Sequence, residues 1–233
     1  MEQDVVTKKK KIGLIMASNH LGKEEDLPFR SKEALKNSDL VIFEEARPAR
    51  QALKASRVTR EFLLFNEHTQ KDTLEEVRKA LKKGKTVCYM SDQGSPTLCD
   101  PGSAIAAIAH QLSTPLEVIP GPSSIIAAMS ACPFPINGFI FTGLLPRKKE
   151  ERAKELEKYI KIGKPLITLD APYRREALLE HFEELLGEKQ KALLALDISG
   201  QEEDYIFGSL KEIRKKTKLL GKVNFVLILE GSY

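Results

Sequence analysis

The sequence predicts an α/β fold with a largely parallel sheet. Short apolar runs alternate with longer segments of helical period, the order in which strands and crossover helices follow one another in that class. Three of the runs are followed by small, polar or Gly/Pro-rich residues, the kind of strand end at which open α/β sheets bind ligands. The composition, 42% hydrophobic and 30% charged over 233 residues, suits a folded chain of one large or two small domains and excludes disorder, which requires fewer apolar residues.

Four runs of strand length come first: Ile12–Ala17, Leu40–Phe43, Val87–Ser91 and Leu116–Ile119. Thr73 to Lys83 places Leu74, Val77, Ala80 and Leu81 on one helical face, and Lys82-Lys83-Gly84 supplies a cationic last turn with a glycine stop. Ser103–Leu112 and Ser123–Ala131 are apolar on most sides, as buried helices are. Near residue 146 the composition shifts to a strongly charged helix, Glu150–Ile160. After it come strand Pro165–Leu169, helix Arg175–Leu186, strand Ala192–Asp197, a hairpin-like Tyr205–Gly208, helix Leu210–Lys218 and strand Val223–Leu229. The chain is therefore expected to divide into a flexible basic N-terminus, residues 1–11, an N-terminal α/β domain, 12–138, and a C-terminal α/β domain, 139–233.

Charge and cysteine usage set limits. The net charge of +4, from 37 Lys+Arg against 33 Asp+Glu, does not choose between an RNA and a small metabolite as partner. The run Lys8–Lys11 has only the short Ile12–Ala17 behind it, too little for a secretory h-region, so a cytoplasmic location is expected. Residues 103–132 are broken by His110, Gln111, Thr114, Glu117 and prolines, and no stretch reaches the ~20 apolar residues of a membrane span. Cys88, Cys99 and Cys132 are odd in number and lack CxxC spacing, which argues against a disulfide framework and against a zinc site.

The stretch Ser91-Asp92-Gln93-Gly94-Ser95-Pro96-Thr97-Leu98-Cys99-Asp100-Pro101-Gly102 lies between an apolar strand and a buried helix. Its glycines allow close approach of backbone to a ligand, its prolines stiffen it, and Asp92 offers a carboxylate at the strand end. Read more plainly, it is a tight turn with Asp92 or Asp100 capping the helix. Pro120-Gly121-Pro122-Ser123-Ser124 forms a second such turn after the strand Leu116–Ile119.

Together, at this spacing, the two turns resemble the tetrapyrrole (corrin/porphyrin) methylase family, whose first stretch commonly reads Ser-Asp-Ala-Gly-Thr-Pro, then Asp-Pro-Gly, and whose second reads Pro-Gly-Pro-Ser-Ala. Glu44-Glu45-Ala46-Arg47, Gly138 to Pro146, Pro172-Tyr173-Arg174 and Val226 to Gly231 resemble a branch of that family that methylates a ribose 2′-hydroxyl of ribosomal RNA. The resemblance runs from about Ile12 to Gly231. It implies a two-domain class III α/β methyltransferase, a homodimer, with S-adenosylmethionine in a cleft between the domains and no metal. By position it assigns Asp92, Gln93, Gly94, Leu98, Ser123, Ser124, Asp170, Leu196 and Asp197 to the cofactor. Glu45, Arg47, Asp100 and Arg174 are the candidates for taking the proton of a ribose hydroxyl or contacting phosphate.

The chain also departs from the family's pattern, the cofactor loops being better kept than the acceptor-facing ones. Where the family's first loop reads Thr-Pro-x-Gly-Asn-Leu, this chain has Ala17-Ser18-Asn19-His20-Leu21-Gly22-Lys23. Gln93 stands for Ala, Asp197-Ile198-Ser199 for an Arg-Glu-Leu-Thr run, and Val223-Asn224 for Gly-Glu. Two alternatives to rRNA methylation therefore stay open: C-methylation of a tetrapyrrole precursor, and a module that binds S-adenosylmethionine without transferring its methyl. Among the histidines, His20 reads as a solvated loop residue and His110 as core or helix face, while His68 divides between function and a helix start capped by Thr69.

Overall fold

The computed structural model describes residues 12–231; the basic segment 1–11 of the sequence reading lies outside the described residues. Contacts divide the described residues into two compact units, one of 12–20 with Glu24–Pro122, the other of Leu21–Lys23 with 123–231. Residues 123–138, which the sequence reading places with the first domain, belong by contact to the second unit.

The first unit is built on a parallel sheet of β1 (Leu14–Ala17), β2 (Leu40–Phe43), β3 (Leu63–Leu64), β4 (Val87–Met90) and β5 (Leu116–Ile119), in the order β3-β2-β4-β1-β5. Its inner strands β1, β2 and β4 read as unbroken apolar runs because both their faces are covered. Ile15, Ala17, Val41, Phe43, Cys88 and Met90 face one core with α1 (Phe29–Asn37) and α2 (Ala46–Ala55). Leu14, Met16, Ile42, Val87 and Tyr89 face another with α3 (Gln70–Lys82) and α4 (Gly102–Gln111). The buried Cys88 has its thiol pushed up to about 12 by desolvation, so it packs as a small hydrophobe.

Helices α1 and α2 are absent from the sequence reading. In α2 a proline and three cations interrupt the apolar pattern, yet Ala49, Ala52 and Leu53 still form a buried face. Pro48 sits in the first turn, where a missing N–H removes no intrahelical bond.

The second unit holds α5 (Ser124–Ser130), β6 (Ile140–Phe141), α6 (Lys149–Ile160), β7 (Leu166–Asp170), α7 (Arg175–Leu186), β8 (Lys191–Leu196), β9 (Asp204–Ser209), α8 (Leu210–Thr217) and β10 (Phe225–Leu229). Strand order is β6-β7-β10-β8-β9. Only β6 and β7 run parallel; β7–β10, β10–β8 and β8–β9 are antiparallel. The expectation of a largely parallel sheet is thus corrected for this unit. Apolar runs encode burial and not direction, and the short 197–203 connection between β8 and β9 can only return the chain antiparallel. Helices α6, α7 and α8 pack on one face of the sheet and α5 on the other. No helix among the described residues is long and apolar enough to cross a membrane.

Candidate functional site

The carboxyl ends of β1, β2, β4 and β5 converge on one set of loops. Asn19 donates through Nδ2 to Ser91 O (3.2 Å) and Asp92 O (3.0 Å), and its amide donates to Gly94 O at 2.8 Å. Ser18 Oγ donates to Ile119 O at 2.9 Å, while Ser31 Oγ donates to Ser18 O at 2.7 Å. The divergent first loop is therefore bound into the strand ends by its own residues. Gly94 has φ 65°, a left-handed turn suited to glycine, and Ser91 Oγ closes it by donating to Gly94 O at 2.7 Å. Thr97 and Cys99 also take positive φ, 79° and 60°, which is costly for residues with a Cβ and marks a loop held in place by its surroundings.

Strands β2 and β4 are clasped at their ends. The Asp92 amide donates to Glu44 Oε1 at 3.3 Å, and the Glu45 amide donates to Asp92 Oδ1 at 3.2 Å. Asp100 Oδ1 accepts from the Gly102 amide at 2.7 Å where α4 begins, one residue ahead of Pro101, which takes the N-cap position. Tyr89 is fully buried beneath these groups. Its hydroxyl feels the Glu44 and Asp100 carboxyls but has no well-formed hydrogen bond to either, and burial first, then the two charges, raises its pKa. Burial, then the charges of Asp100 and Asp92, pushes the Glu44 carboxyl from 4.5 up to about 7. Burial also raises Asp92, from 3.8 to about 6, against the amide donors of Glu45 and Glu44.

Beside this cluster a cavity of about 270 Å³ is lined by Asn19, His20, Pro48, Gln51, Asp92 and Gln93. Both ring nitrogens of His20 are buried without a partner and burial lowers its pKa, which corrects the expectation of a solvated loop histidine. Glu45 and Arg47 are exposed at the start of α2, Leu98 is 45% exposed, and Gly94 is buried. The structure thus brings Glu45, Asp92, Gln93, Gly94 and Asp100 into one neighbourhood. His110 lies on the exposed face of α4, and His68 donates its amide to Asn66 Oδ1 at 3.1 Å in the turn before α3.

In the second unit Asp170, at the end of β7, is 8% exposed and pairs with Arg174 at 3.0 Å. The Arg174 guanidinium also donates to Leu145 O and Pro146 O at 2.9–3.1 Å, so it is engaged in holding the 145–146 segment. Arg152 does the same from α6, donating to Pro146 O and Arg147 O at 3.1 Å and through Nε to His181 Nδ1 at 2.7 Å. Burial and the neighbouring Arg152 and Lys149 charges lower the His181 pKa, which keeps the acceptor neutral. Leu196 is 1% exposed within the main core of the unit, leaving its backbone alone for any ligand. Asp197 has φ 43° and accepts from the Glu202 amide at 2.9 Å; Ser123 and Ser124 are half-buried at the start of α5.

Residues 20–214 match the family described as Tetrapyrrole (Corrin/Porphyrin) Methylases. The chain belongs to the tetrapyrrole methylase family. It is an S-adenosylmethionine-dependent methyltransferase. It is 29% identical to a ribosomal RNA small subunit methyltransferase I of Thermotoga maritima, over 92% of this chain and 97% of that one. It is 31% identical to the protein of the same name in Leptospira borgpetersenii, over 93% and 87%. Among solved structures, diphthine synthase superposes with a TM-score of 0.74 at 14% identity, covering 93% of this chain and 89% of that one. Uroporphyrin-III C-methyltransferase of Thermus thermophilus in complex with S-adenosylhomocysteine gives 0.65 at 17%, covering 94% and 97%. These likenesses establish the class III tetrapyrrole methylase fold.

The first unit of this methylase suits a cationic, polar cofactor. Burial and the neighbouring carboxylates, Asp100 among them, disfavour the ionisation of Glu44 and Asp92, and a sulfonium or ammonium nearby would relieve that cost. The two orphaned nitrogens of His20 offer further polar partners at the same cavity. Sequence reasoning missed Glu44, Tyr89 and the buried state of His20. Glu44 sits one residue ahead of the chosen Glu45 at a strand end, so strand alternation could have found it. Tyr89 lies within an apolar strand and reads only as core.

Proposed function

We propose that this methylase transfers a methyl group to the 2′-hydroxyl of a ribose in small-subunit ribosomal RNA. The names of the relatives that match along nearly the whole chain support the substrate. The observation that carries the chemistry is the carboxyl of Glu44, poised at about 7 beside Asp92 and Asp100. A ribose hydroxyl must give up its proton as it attacks, and a base that titrates near the working pH is best matched to that task.

S-Adenosylmethionine supplies an electrophilic methyl on a sulfonium, so that an oxygen–methyl bond forms as the sulfur–methyl bond breaks. This chain's residues do the rest. Asp92, Gln93 and Gly94 would hold the donor and Leu98 would line its site, the carboxylate of Asp92 being the group that suits its positive charge. Glu44 accepts the hydroxyl proton, and burial together with the charges of Asp100 and Asp92 keeps that carboxyl basic. Glu45 and Arg47, exposed at the start of α2, meet the RNA. Alignment of nucleophile and donor in a dry pocket accounts for most of the acceleration such a displacement needs. The reading includes a cytoplasmic homodimer, for which sedimentation at micromolar concentration is the check.

The test is transfer of labelled methyl from S-adenosylmethionine to small ribosomal subunits that lack their native modification. Label in a nuclease-resistant, 2′-O-methylated dinucleotide is expected. Label in the bases, or none where one of the named relatives works, overturns the reading.

A further inference from the structure

Helix α2 is set apart by its charge. Between residues 46 and 60 the chain carries Arg47, Arg50, Lys54, Arg57 and Arg60 and no acidic residue. Among the described α-helices that bear charge, the others all include Glu or Asp. Arg47, Arg50 and Lys54 recur at i, i+3 and i+7, which puts them on one ridge, opposite the buried Ala49, Ala52 and Leu53. All three are exposed, as is Arg57 just past the helix end. Arg60 is different, since its guanidinium donates to Leu35 O at 2.7 Å and Asp39 O at 3.3 Å.

None of Arg47, Arg50, Lys54 and Arg57 makes an ion pair or side-chain hydrogen bond among the described residues, whereas α3, α6 and α8 spend cations on neighbouring acids. Arg47 lies in the first turn, at the positive end of the helix, where a cation costs stability, while only Lys54 stands in the last turn, where a cation is favourable. The same helix supplies Pro48 and Gln51 to the cavity wall that holds His20 and Asp92. Gln51 lies one turn from both Arg47 and Lys54, so the ridge of charge starts at the rim of the cavity.

We propose that the exposed ridge Arg47-Arg50-Lys54-Arg57 is a phosphate track that lays the RNA strand along α2 and leads its ribose into the cavity beside Asp92. The proposal rests on the substrate reading above and adds the surface that carries it. Spaced cations with no acidic partners fit a polyanion of regular charge spacing, and they supply affinity through counterion release rather than sequence.

The test measures binding of a fluorescein-labelled, single-stranded oligoribonucleotide of about 20 nucleotides between 50 and 200 mM salt. The wild type is compared with R50Q/K54Q/R57Q, and with K82Q/K83Q/K85Q, which removes the same charge at the opposite end of β4. A thermal shift with S-adenosylmethionine confirms that each variant is folded. Three lost phosphate contacts lower the slope of log Kd against log salt by about 2 and weaken binding about 100-fold near 0.1 M salt, whereas the control keeps most of the wild-type slope. If wild type methylates small subunits while the α2 variant keeps wild-type slope and affinity, or the control loses as much, the track is overturned and the substrate reading stands. If wild type shows neither salt-dependent RNA binding nor methyl transfer, both are overturned together.

Discussion

Replacing Glu44 by Gln separates chemistry from stability at one carboxyl. With its pKa at about 7, the wild-type carboxyl is ionised in roughly one tenth of molecules at pH 6 and roughly nine tenths at pH 8, so single-turnover methyl transfer rises about tenfold across that interval. In Glu44→Gln the rate falls by about 10²–10⁴-fold, the usual worth of a positioned base, and the rise through pH 7 disappears. Stability moves the other way. Glu44's pKa is higher in the folded chain than the ordinary 4.5, so its contribution is complete below about pH 4.5 and is lost as pH rises through about 7. At ~1.4 kcal/mol per pH unit the interval amounts to about 3 kcal/mol. The side chain is only half-buried, and solvent screening reduces this to about 1–2 kcal/mol. The cofactor-free Gln variant should therefore melt about 2–6 °C above wild type at pH 8 and level with it at pH 4.5. A purely structural Glu44 would produce the melting difference alone. Transfer within tenfold of wild type, with the pH profile unchanged, refutes the assignment.

Three further outcomes follow from particular contacts. Asp92, raised to about 6 by burial, should bind the cationic donor more tightly as pH rises through that value, seen as a larger calorimetric affinity at pH 7 than at pH 5; Asp92→Asn should bind weakly at both, and pH-independent wild-type affinity contradicts the role. A Cβ on Gly102 would lie 2.5 Å from Tyr89 Cε1 and 2.9 Å from Asp100 Oδ1, and the buried ring has nowhere to go, so Gly102→Ala should lose about 1–3 kcal/mol in urea unfolding. Arg174→Lys cannot span Leu145 O, Pro146 O and Asp170 at once; a loss of about 1.5–3 kcal/mol is expected, and unchanged unfolding would show the clamp is idle.

The parts legible in the sequence share one physical cause. Strands covered on both faces must be apolar throughout, so Leu14–Ala17, Leu40–Phe43 and Val87–Met90 stand out unaided. The loop 91–102 stands out because its glycines and prolines meet backbone requirements that few other residues satisfy. Other features left no such trace. The ridge of α2 is polar because of what it faces, and its buried side uses Ala49 and Ala52, too small to mark a helical period. The direction of β7, β8 and β10 depends on connections whose residues do not encode it. Glu44 and Tyr89 become a pair of functional interest only when β2 and β4 stand side by side, with Ile42 opposite Tyr89.

The same juxtaposition explains why a net charge of +4 says so little. Acid and base are kept apart, the one at the ends of β2 and β4, the other on the ridge of α2. Glu44 and Asp92 gather with Asp100 at the ends of β2 and β4, where burial makes the charge of the first two expensive, and the cations on the outer ridge of α2 have no ion-pair or side-chain hydrogen-bond partner among the described residues. A fold selected for stability alone would pair them, since an unpaired half-buried carboxyl costs free energy that a neighbouring cation would recover. Keeping them apart leaves the carboxyls for a cationic donor and the arginines for an anionic acceptor. The two ligands of the proposed reaction carry those two signs, so each offsets the electrostatic cost left by the other's absence. Binding of RNA and of S-adenosylmethionine should then each strengthen the other through their opposite charges, a coupling that high salt weakens.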